Sequence, residues 1–99
     1  MLKIDTASTG YDAENLIKST KADVVIHVPM QIEDLRSGEM LDVCHIRCKN
    51  KKLAVKLFNE MPNVQRVHGV APSGYKSSIY IIVINDKVGN VISSLNKMV

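Results

Sequence analysis

The sequence predicts one α+β domain with a ferredoxin-like arrangement of helices and strands. Runs in which apolar and polar residues alternate are typical of strands, and they are interleaved with stretches of helical apolar spacing. The predicted order is α-β-β-α-β-β-α. From residue 41 onward this order is β-α-β-β-α, which is a ferredoxin-like unit without its last strand. Residues 23–28 supply the missing edge strand from the N-terminal side, as in a circular permutation.

Length and composition restrict the class of protein. The 99 residues suffice for a single domain, and 45% hydrophobic with 23% charged residues is ordinary for a soluble globular protein. No apolar run reaches the roughly 18 residues of a membrane span, and the N-terminus lacks the apolar stretch of a signal peptide. We therefore expect a cytoplasmic protein without a membrane partner. The net charge of +3 favours acidic partners only weakly.

The first predicted helix follows a short N-terminal segment. Leu2 and Ile4 can begin an edge strand, whereas residues 6–10 have the composition of a flexible segment. Asp12 is a favourable N-cap, and the apolar residues that follow it have helical spacing. The sequence therefore predicts a helix from Asp12 to Lys21.

Four strands and two further helices complete the predicted domain. Pro29 ends the first strand, and Ile32 and Leu35 can form one helical turn in the connection that follows. Asn50 caps the second helix, which ends at Pro62. The last helix begins at Asn85 or Asp86. We expect a four-stranded antiparallel sheet with helices on one face and the strand order 23–28, 41–48, 78–84, 64–70.

The strand phases predict a basic face on this sheet. In residues 23–28 and 41–48 the apolar side chains alternate with His27, His45 and Arg47, which therefore fall on the opposite face. This face stays open if the helices cover the apolar one. The candidate binding residues add nearby lysines, a third histidine and a tyrosine, and they are His27, His45, Arg47, Lys49, Lys51, Lys52, His68 and Tyr80.

A first hypothesis is that the open face binds single-stranded nucleic acid without catalysis. Sheets of this class bind RNA by stacking bases on aromatic side chains and by contacting phosphates with basic ones. Either Tyr80 or its neighbours Ile79 and Ile81 share the face. Residues 76–83 lack the Gly-aromatic-Gly-aromatic signature of RNA-recognition strands. The lysines in residues 49–52 fit a solvated strand end equally well.

A second hypothesis is a homo-oligomer, or a complex with a host or partner protein, because the same face carries apolar side chains that water solvates poorly. From Met61 onward, the segment 62–70, the Gly74-Tyr75 turn and the strand around Tyr80 resemble in layout the ligand-sensing domain of Lrp/AsnC-type regulators. The resemblance implies oligomers formed through the sheet and amino-acid binding between subunits. This chain departs from that family's turn, and it shows no helix-turn-helix.

Catalysis, metal binding and cofactor binding are not expected. His27 and His45 are predicted on a diagonal of adjacent strands, about 7–8 Å apart, and no nucleophile stands beside them. His68 is predicted at the far edge of the sheet. Cys44 and Cys48 lie on one strand at a separation of about 13 Å, which exceeds the reach of a disulfide. Both cysteines are expected to be buried and reduced.

Overall fold

The sheet of this protein is packed against helices on both faces. The computed structural model describes residues 2–61 and 66–98, with the backbone alone for residues 66–68. Its elements in chain order are β1 (Ile4–Ala7), α1 (Gly10–Lys18), β2 (Val24–Glu33), β3 (Met40–Cys48), α2 (Lys51–Glu60), β4 (Arg66–Pro72), β5 (Tyr80–Asn85) and α3 (Val88–Lys97). The strands stand in the sheet in the order β1-β2-β3-β5-β4.

The α+β class is confirmed, but the predicted four-stranded antiparallel ferredoxin-like layout is wrong, because the sheet has five strands of mixed direction. β2, β3, β5 and β4 are antiparallel neighbours in the predicted order. The fifth strand, β1, is parallel to β2, with Ile4 opposite Val24 and Ala7 opposite His27. A strand of 4 residues is too short to show alternation, so the sequence left this segment open between an edge strand and a flexible segment. The structure has the edge strand.

The prediction that helices cover one face is also wrong. Val24, Val25 and Ile26 are all buried, although consecutive strand residues point to opposite faces. On one face α2 and α3 pack over the main core, whose buried residues are Val24, Ile26, Cys44, Ile46, Cys48, Ala54, Leu57, Met61, Ile82, Ile84, Val91 and Leu95. On the other face Val25 joins a small cluster with Ala13 and Ile17 of α1. The apolar side chains of α1 are thus buried against this second face of the sheet.

β2 does not end at Pro29 but continues to Glu33, so Ile32 lies in the strand. The predicted single helical turn occurs just after it, over residues 34–38, where Gly38 N donates to Asp34 O at 2.7 Å. His27 stands opposite His45, but the next pair is Met30 with Val43, so β2 contains one extra residue at this point. A β-bulge accommodates proline, because the extra residue leaves the hydrogen-bond ladder. Beyond the bulge β2 and β3 continue as a two-stranded ribbon, which we define as residues 30–43.

The predicted start of α2 is confirmed, whereas the predicted start and end of α1 differ from the structure. Asn50 caps α2 as predicted, since its Oδ1 accepts a hydrogen bond from Leu53 N at 2.8 Å. The N-cap of α1 is Thr9 instead of Asp12, because Thr9 Oγ1 accepts from Asp12 N at 3.1 Å. α1 ends at Lys18, before the predicted limit. The predicted stop of α2 at residues 62–63 lies outside the described residues.

The last helix is capped from the sheet. Val88 N donates to Asp42 Oδ2 of β3 at 3.1 Å, so neither Asn85 nor Asp86 caps it in the predicted manner. Asp86 Oδ1 instead accepts from Lys87 N at 2.7 Å. β4 and β5 lie further along the chain than the predicted ranges 64–70 and 78–84, and residues 64–65 are outside the described part.

Candidate functional site

α1 divides its face of the sheet into a covered and an open part. The helix packs on Val25 and Ile79, and its first residue, Gly10, lies over Arg47. A Cβ atom at Gly10 would lie 2.8 Å from Arg47 Nη2, so the guanidinium reaches directly beneath the helix start. Beyond Arg47, no described helix covers this face. Four of its apolar residues lie on β2 and β3 past the histidines, and we call them the apolar strip: Met30, Ile32, Leu41 and Val43.

The register explains why the apolar strip lies on the same face as the histidines. Met30 pairs with Val43, and Val43 lies two residues from His45 along β3, so their side chains share a face. Without the extra residue at the bulge, Met30 would point to the opposite face. Met30 is 58% exposed and Ile32 is 36% exposed. The bulge at Pro29 therefore brings apolar side chains into the open part of the face.

His27 and His45 are direct neighbours, so the predicted diagonal arrangement is wrong. They are opposite each other in the register, and their rings meet edge to face with centroids 5.4 Å apart. His27 Nδ1 lies 3.1 Å from Arg47 Nη1. A guanidinium only donates, so Nδ1 accepts and the proton of neutral His27 sits on Nε2. Burial, and secondarily the charge of Arg47, lower the pKa of His27.

This hydrogen bond makes the histidine pair a poor metal site. A metal ion would have to displace either the Arg47 contact or the Nε2 proton of His27, and it would sit beside a guanidinium charge. Among residues 2–61 and 66–98, no three His, Cys, Asp or Glu side chains are grouped as metal ligands. The pair is better suited to hydrogen bonding and packing in the open face.

Arg47 connects the sheet to α1 and is only partly accessible. Its burial lowers the pKa of the guanidinium, and the nearby Glu14 carboxylate of α1 opposes that shift. Glu14 Oε1 accepts from Ser73 Oγ at 2.8 Å, and Ser73 Oγ lies 2.9 Å from Ser77 Oγ. The two serine contacts join α1 to the segment between β4 and β5. Arg47 lies between β3 and the start of α1 instead of projecting into solvent.

Tyr80 does not join the histidine pair. Tyr80 stands opposite Cys48 and packs against the main core under α2 and α3, on the other face. The phase of β5 requires this, because Ile82 also faces the main core. The backbone of His68 is opposite Val83, and its side chain lies outside the description.

Most of the lysines meet at one end of the molecule. β1, β2 and β5 begin there, β3 and β4 end there, α1 and α3 end there, and α2 begins there. We call this the basic end. Its lysines, all nine exposed, are Lys3, Lys18, Lys21, Lys49, Lys51, Lys52, Lys56, Lys76 and Lys97. The predicted binding residues Lys49, Lys51 and Lys52 belong to this set, away from the histidine pair.

Shared contacts confirm that several of these lysines are close together. Asp23 accepts from Lys49 Nζ at 2.8 Å and from Lys3 N at 3.0 Å, and both contacts help to lower the pKa of Asp23, the Lys49 bond most strongly. Lys18 and Lys49 line one cavity of about 440 Å³. Lys49 and Lys56 line a second cavity of about 360 Å³, on the other side of Asp23. Asp23 is thus surrounded by cations.

The basic end also presents an exposed aromatic ring that the sequence hypotheses did not use. Ser77 N donates to Gly74 O at 3.2 Å, which closes a turn with Tyr75 and Lys76 at its corners. Tyr75 is 92% exposed, and Lys76 Nζ lies 5.4 Å from the centre of its ring. The signal in the sequence was an aromatic residue in a turn-rich segment, where side chains project outward.

The opposite end of the molecule is acidic and apolar. The turn of the ribbon carries Glu33, Asp34 and Glu39 against Arg36, and Lys87 pairs with Glu39 at 3.1 Å. Leu35, at the tip of the ribbon, is 94% exposed. The charges are therefore segregated along the strand direction, with lysines at one end and carboxylates at the other.

The thiols do not contribute reactive groups. Cys44 and Cys48 are free and buried, and burial raises the pKa of each to about 12. A thiol with such a pKa is protonated at neutral pH and is a poor nucleophile. No helix of the described residues is long and apolar enough to cross a membrane. Comparison with protein-family models, with curated proteins and with solved structures gave no match for this chain.

Proposed function

We propose that the protein is a non-catalytic binding protein whose basic end holds single-stranded nucleic acid. The observation that carries this proposal is the juxtaposition of the nine lysines of the basic end with the exposed ring of Tyr75. Lysines neutralise phosphates regardless of base sequence, and each contact releases bound counterions. An exposed aromatic ring stacks on unpaired bases, and this contribution also tolerates any sequence.

The proposed binding surface is the basic end of the sheet, whereas the sequence hypothesis placed it on the sheet face. Arg47 is partly buried under α1, and Tyr80 packs in the main core, so neither is well placed for a strand of nucleic acid. Lys51 and Lys52 stand in the first turn of α2, where they project from the basic end. Tyr75 takes the stacking role that the sequence hypothesis gave to Tyr80.

Charge alone also attracts anionic membranes, but the placement of apolar side chains favours nucleic acid. Peripheral membrane sites combine cations with apolar side chains that enter the lipid. Here four exposed non-aromatic apolar residues lie on the ribbon at the acidic end, namely Met30, Ile32, Leu35 and Met40. The remaining one in the described chain, Val55, lies on α2 and is 38% exposed. A strand of nucleic acid needs no such insertion.

The experiment is a fluorescence anisotropy titration of a labelled single-stranded oligonucleotide at several salt concentrations. With about four phosphate contacts, log K is expected to fall with log salt at a slope of about −3, from −0.7 per contact. Lys51→Ala and Lys18→Ala are each expected to weaken binding and to reduce the slope by about 0.7. Tyr75→Ala is expected to cost about 1–3 kcal/mol.

Two matched variants at the other end serve as controls. Arg36→Ala removes an exposed cation from the ribbon, and Tyr11→Ala removes a ring that is 76% exposed at the start of α1. Both should bind as tightly as the unmodified protein. Equal losses for Arg36→Ala and Lys51→Ala would mean that only net charge matters and would overturn the proposed site. Binding to vesicles of anionic lipid without binding to the oligonucleotide would replace nucleic acid by a membrane.

A further inference from the structure

We infer that the cavity lined by Lys18 and Lys49 at the basic end receives one unpaired nucleobase, and that Asp23 selects a base with an exocyclic amino group. The inference rests on the proposed function, because it requires a single strand on the basic end, and it adds which bases that site prefers. The cavity has a volume of about 440 Å³. Pockets that enclose small organic ligands measure about 300–1,000 Å³. Adenine, cytosine and guanine carry an exocyclic amino group, whereas thymine and uracil do not.

The floor of the cavity is apolar and can contact the flat face of a base. It consists of Ile17 of α1, Ala22 before β2 and Ile79 before β5, and all three belong to the small cluster under α1. Their exposed fractions lie between 3% and 6%. A base that leaves the stack of its strand regains apolar contact on such a floor.

Polar groups line the rest of the cavity, and among them Asp23 discriminates between bases. Asp23 Oδ1 accepts from Lys49 Nζ at 2.8 Å, and Oδ2 accepts from Lys3 N at 3.0 Å. A carboxylate offers about four acceptor sites, so acceptor capacity remains for a donor on the ligand. The lowered pKa of Asp23 keeps it ionised at neutral pH, and an ionised carboxylate only accepts. It therefore pairs with an amino group and repels the carbonyl oxygen that uracil or thymine presents in its place.

Charge argues against a phosphate as the occupant of this cavity. A phosphate inside it would meet the Asp23 carboxylate, and the ammonium group of Lys49 is already bound to that carboxylate. Lys18 is exposed at the cavity and can contact the phosphate of the same nucleotide from outside. Ser78, which is also exposed there, adds a hydroxyl that can donate to a ring nitrogen or a carbonyl of the base.

The turn that carries Tyr75 lies beside the cavity. Ser73 N donates to Ile79 O at 2.8 Å, which brings the two ends of the segment 73–79 together. Tyr75 and Ser78 are three residues apart, so their Cα atoms are at most about 11 Å from each other. At a rise of about 3.4 Å per stacked nucleotide, about three nucleotides span this distance. A strand that stacks one base on Tyr75 can thus place a nearby base in the cavity.

Fluorescence anisotropy with two labelled oligonucleotides of equal length, one of deoxycytidine and one of deoxyuridine, tests the inference. The two bases have the same size and differ in the amino or carbonyl group that would face the carboxylate. The deoxycytidine strand is expected to bind about fivefold more tightly, which is the low end of the discrimination that a good base contact provides. Asp23→Asn should abolish this preference, because an amide both donates and accepts. Ser78→Leu should abolish it as well, because a larger apolar side chain occupies the cavity while every charge remains.

Asp12→Asn is the matched control, because it removes the same charge from an exposed residue at the start of α1, away from the basic end. It should keep the preference. Ser78→Leu maintains the test if Asp23→Asn fails to fold, since Ser78 is exposed and lies outside the helices and strands. Equal affinity of the unmodified protein for the two strands, or a preference that survives in either folded variant, would overturn the inference. Salt-dependent binding that Lys51→Ala weakens would then still support the proposed function, whereas binding of neither strand would overturn both.

Discussion

Replacing Thr20 by glycine is expected to stabilise the protein, because Thr20 ends α1 in a conformation that favours glycine. Lys21 N donates to Leu16 O at 3.1 Å, and Thr20 N donates to Ile17 O at 3.0 Å. These two bonds define a Schellman motif, in which the residue after the C-cap is left-handed and is usually glycine or asparagine. Thr20 occupies this position with φ of 62°. A β-branched residue is strained there.

The expected gain follows from two opposing contributions. The left-handed conformation costs an L-residue about 1–2 kcal/mol. Glycine removes this strain but adds backbone entropy to the unfolded state, which offsets about 0.5–1 kcal/mol. Thr20 is exposed, and its Oγ1 donates only to Ser19 O, so no buried contact is lost. The net gain is about 0.5–1 kcal/mol, or a rise in Tm of about 2–8 °C for a domain of this size.

Thermal unfolding followed by circular dichroism, together with urea titration, measures the gain. Ser19→Gly is the matched control, because the neighbouring C-cap has φ of −82° and contains no left-handed strain. Glycine at that position increases the entropy of the unfolded chain and removes the hydrogen bond that Ser19 Oγ donates to Leu16 O at 3.1 Å, so Tm should fall. If Thr20→Gly lowers Tm as Ser19→Gly does, the left-handed conformation of Thr20 and the strain derived from it are refuted.

Two further predictions concern the cysteines and Asp23. Burial raises the pKa of Cys44 and Cys48 to about 12. Neither thiol should therefore react with a thiol reagent at about pH 8 until urea unfolds the protein. The absorbance of the chromophore that the reagent releases measures the reaction. Asp23→Asn should lower stability at neutral pH, since the carboxylate with its lowered pKa stabilises the fold above the unfolded-state pKa. This difference should disappear as pH falls through the lowered pKa, and urea titrations at about pH 7 and pH 2 will show it.

The sequence predicted the parts of the fold that strong periodicity determines. The alternation around His27 and His45 located β2 and β3, and Asn50 located the start of α2. The order of the four longer strands followed from their connections. β1 was left undecided between an edge strand and a flexible segment because 4 residues show no period, and its pairing depends on β2, which is distant in sequence.

Pro29 caused the largest local error, for a physical reason that the sequence does not reveal. A proline ends a strand when its missing N–H is needed by a partner, and it is tolerated when a bulge removes that need. Which case applies depends on β3, since the pairing of Met30 with Val43 maintains the ribbon beyond the bulge. The same error hid the apolar strip, because Met30 and Ile32 reach the open face only through the extra residue.

The charge segregation arises from topology and not from any local run of charge. Lys3, Lys18, Lys49, Lys76 and Lys97 belong to five separate segments, and each segment lies next to the end of a helix or strand. Antiparallel packing returns these ends to one side of the sheet, so cations that are distant in sequence share the basic end, and Lys3 and Lys49 both contact Asp23. The long β2–β3 hairpin turns at the other side and carries the carboxylates. The two ends of the molecule therefore differ in charge although no single segment of the sequence does, and the lysine-rich end is the one for which we propose a polyanionic partner.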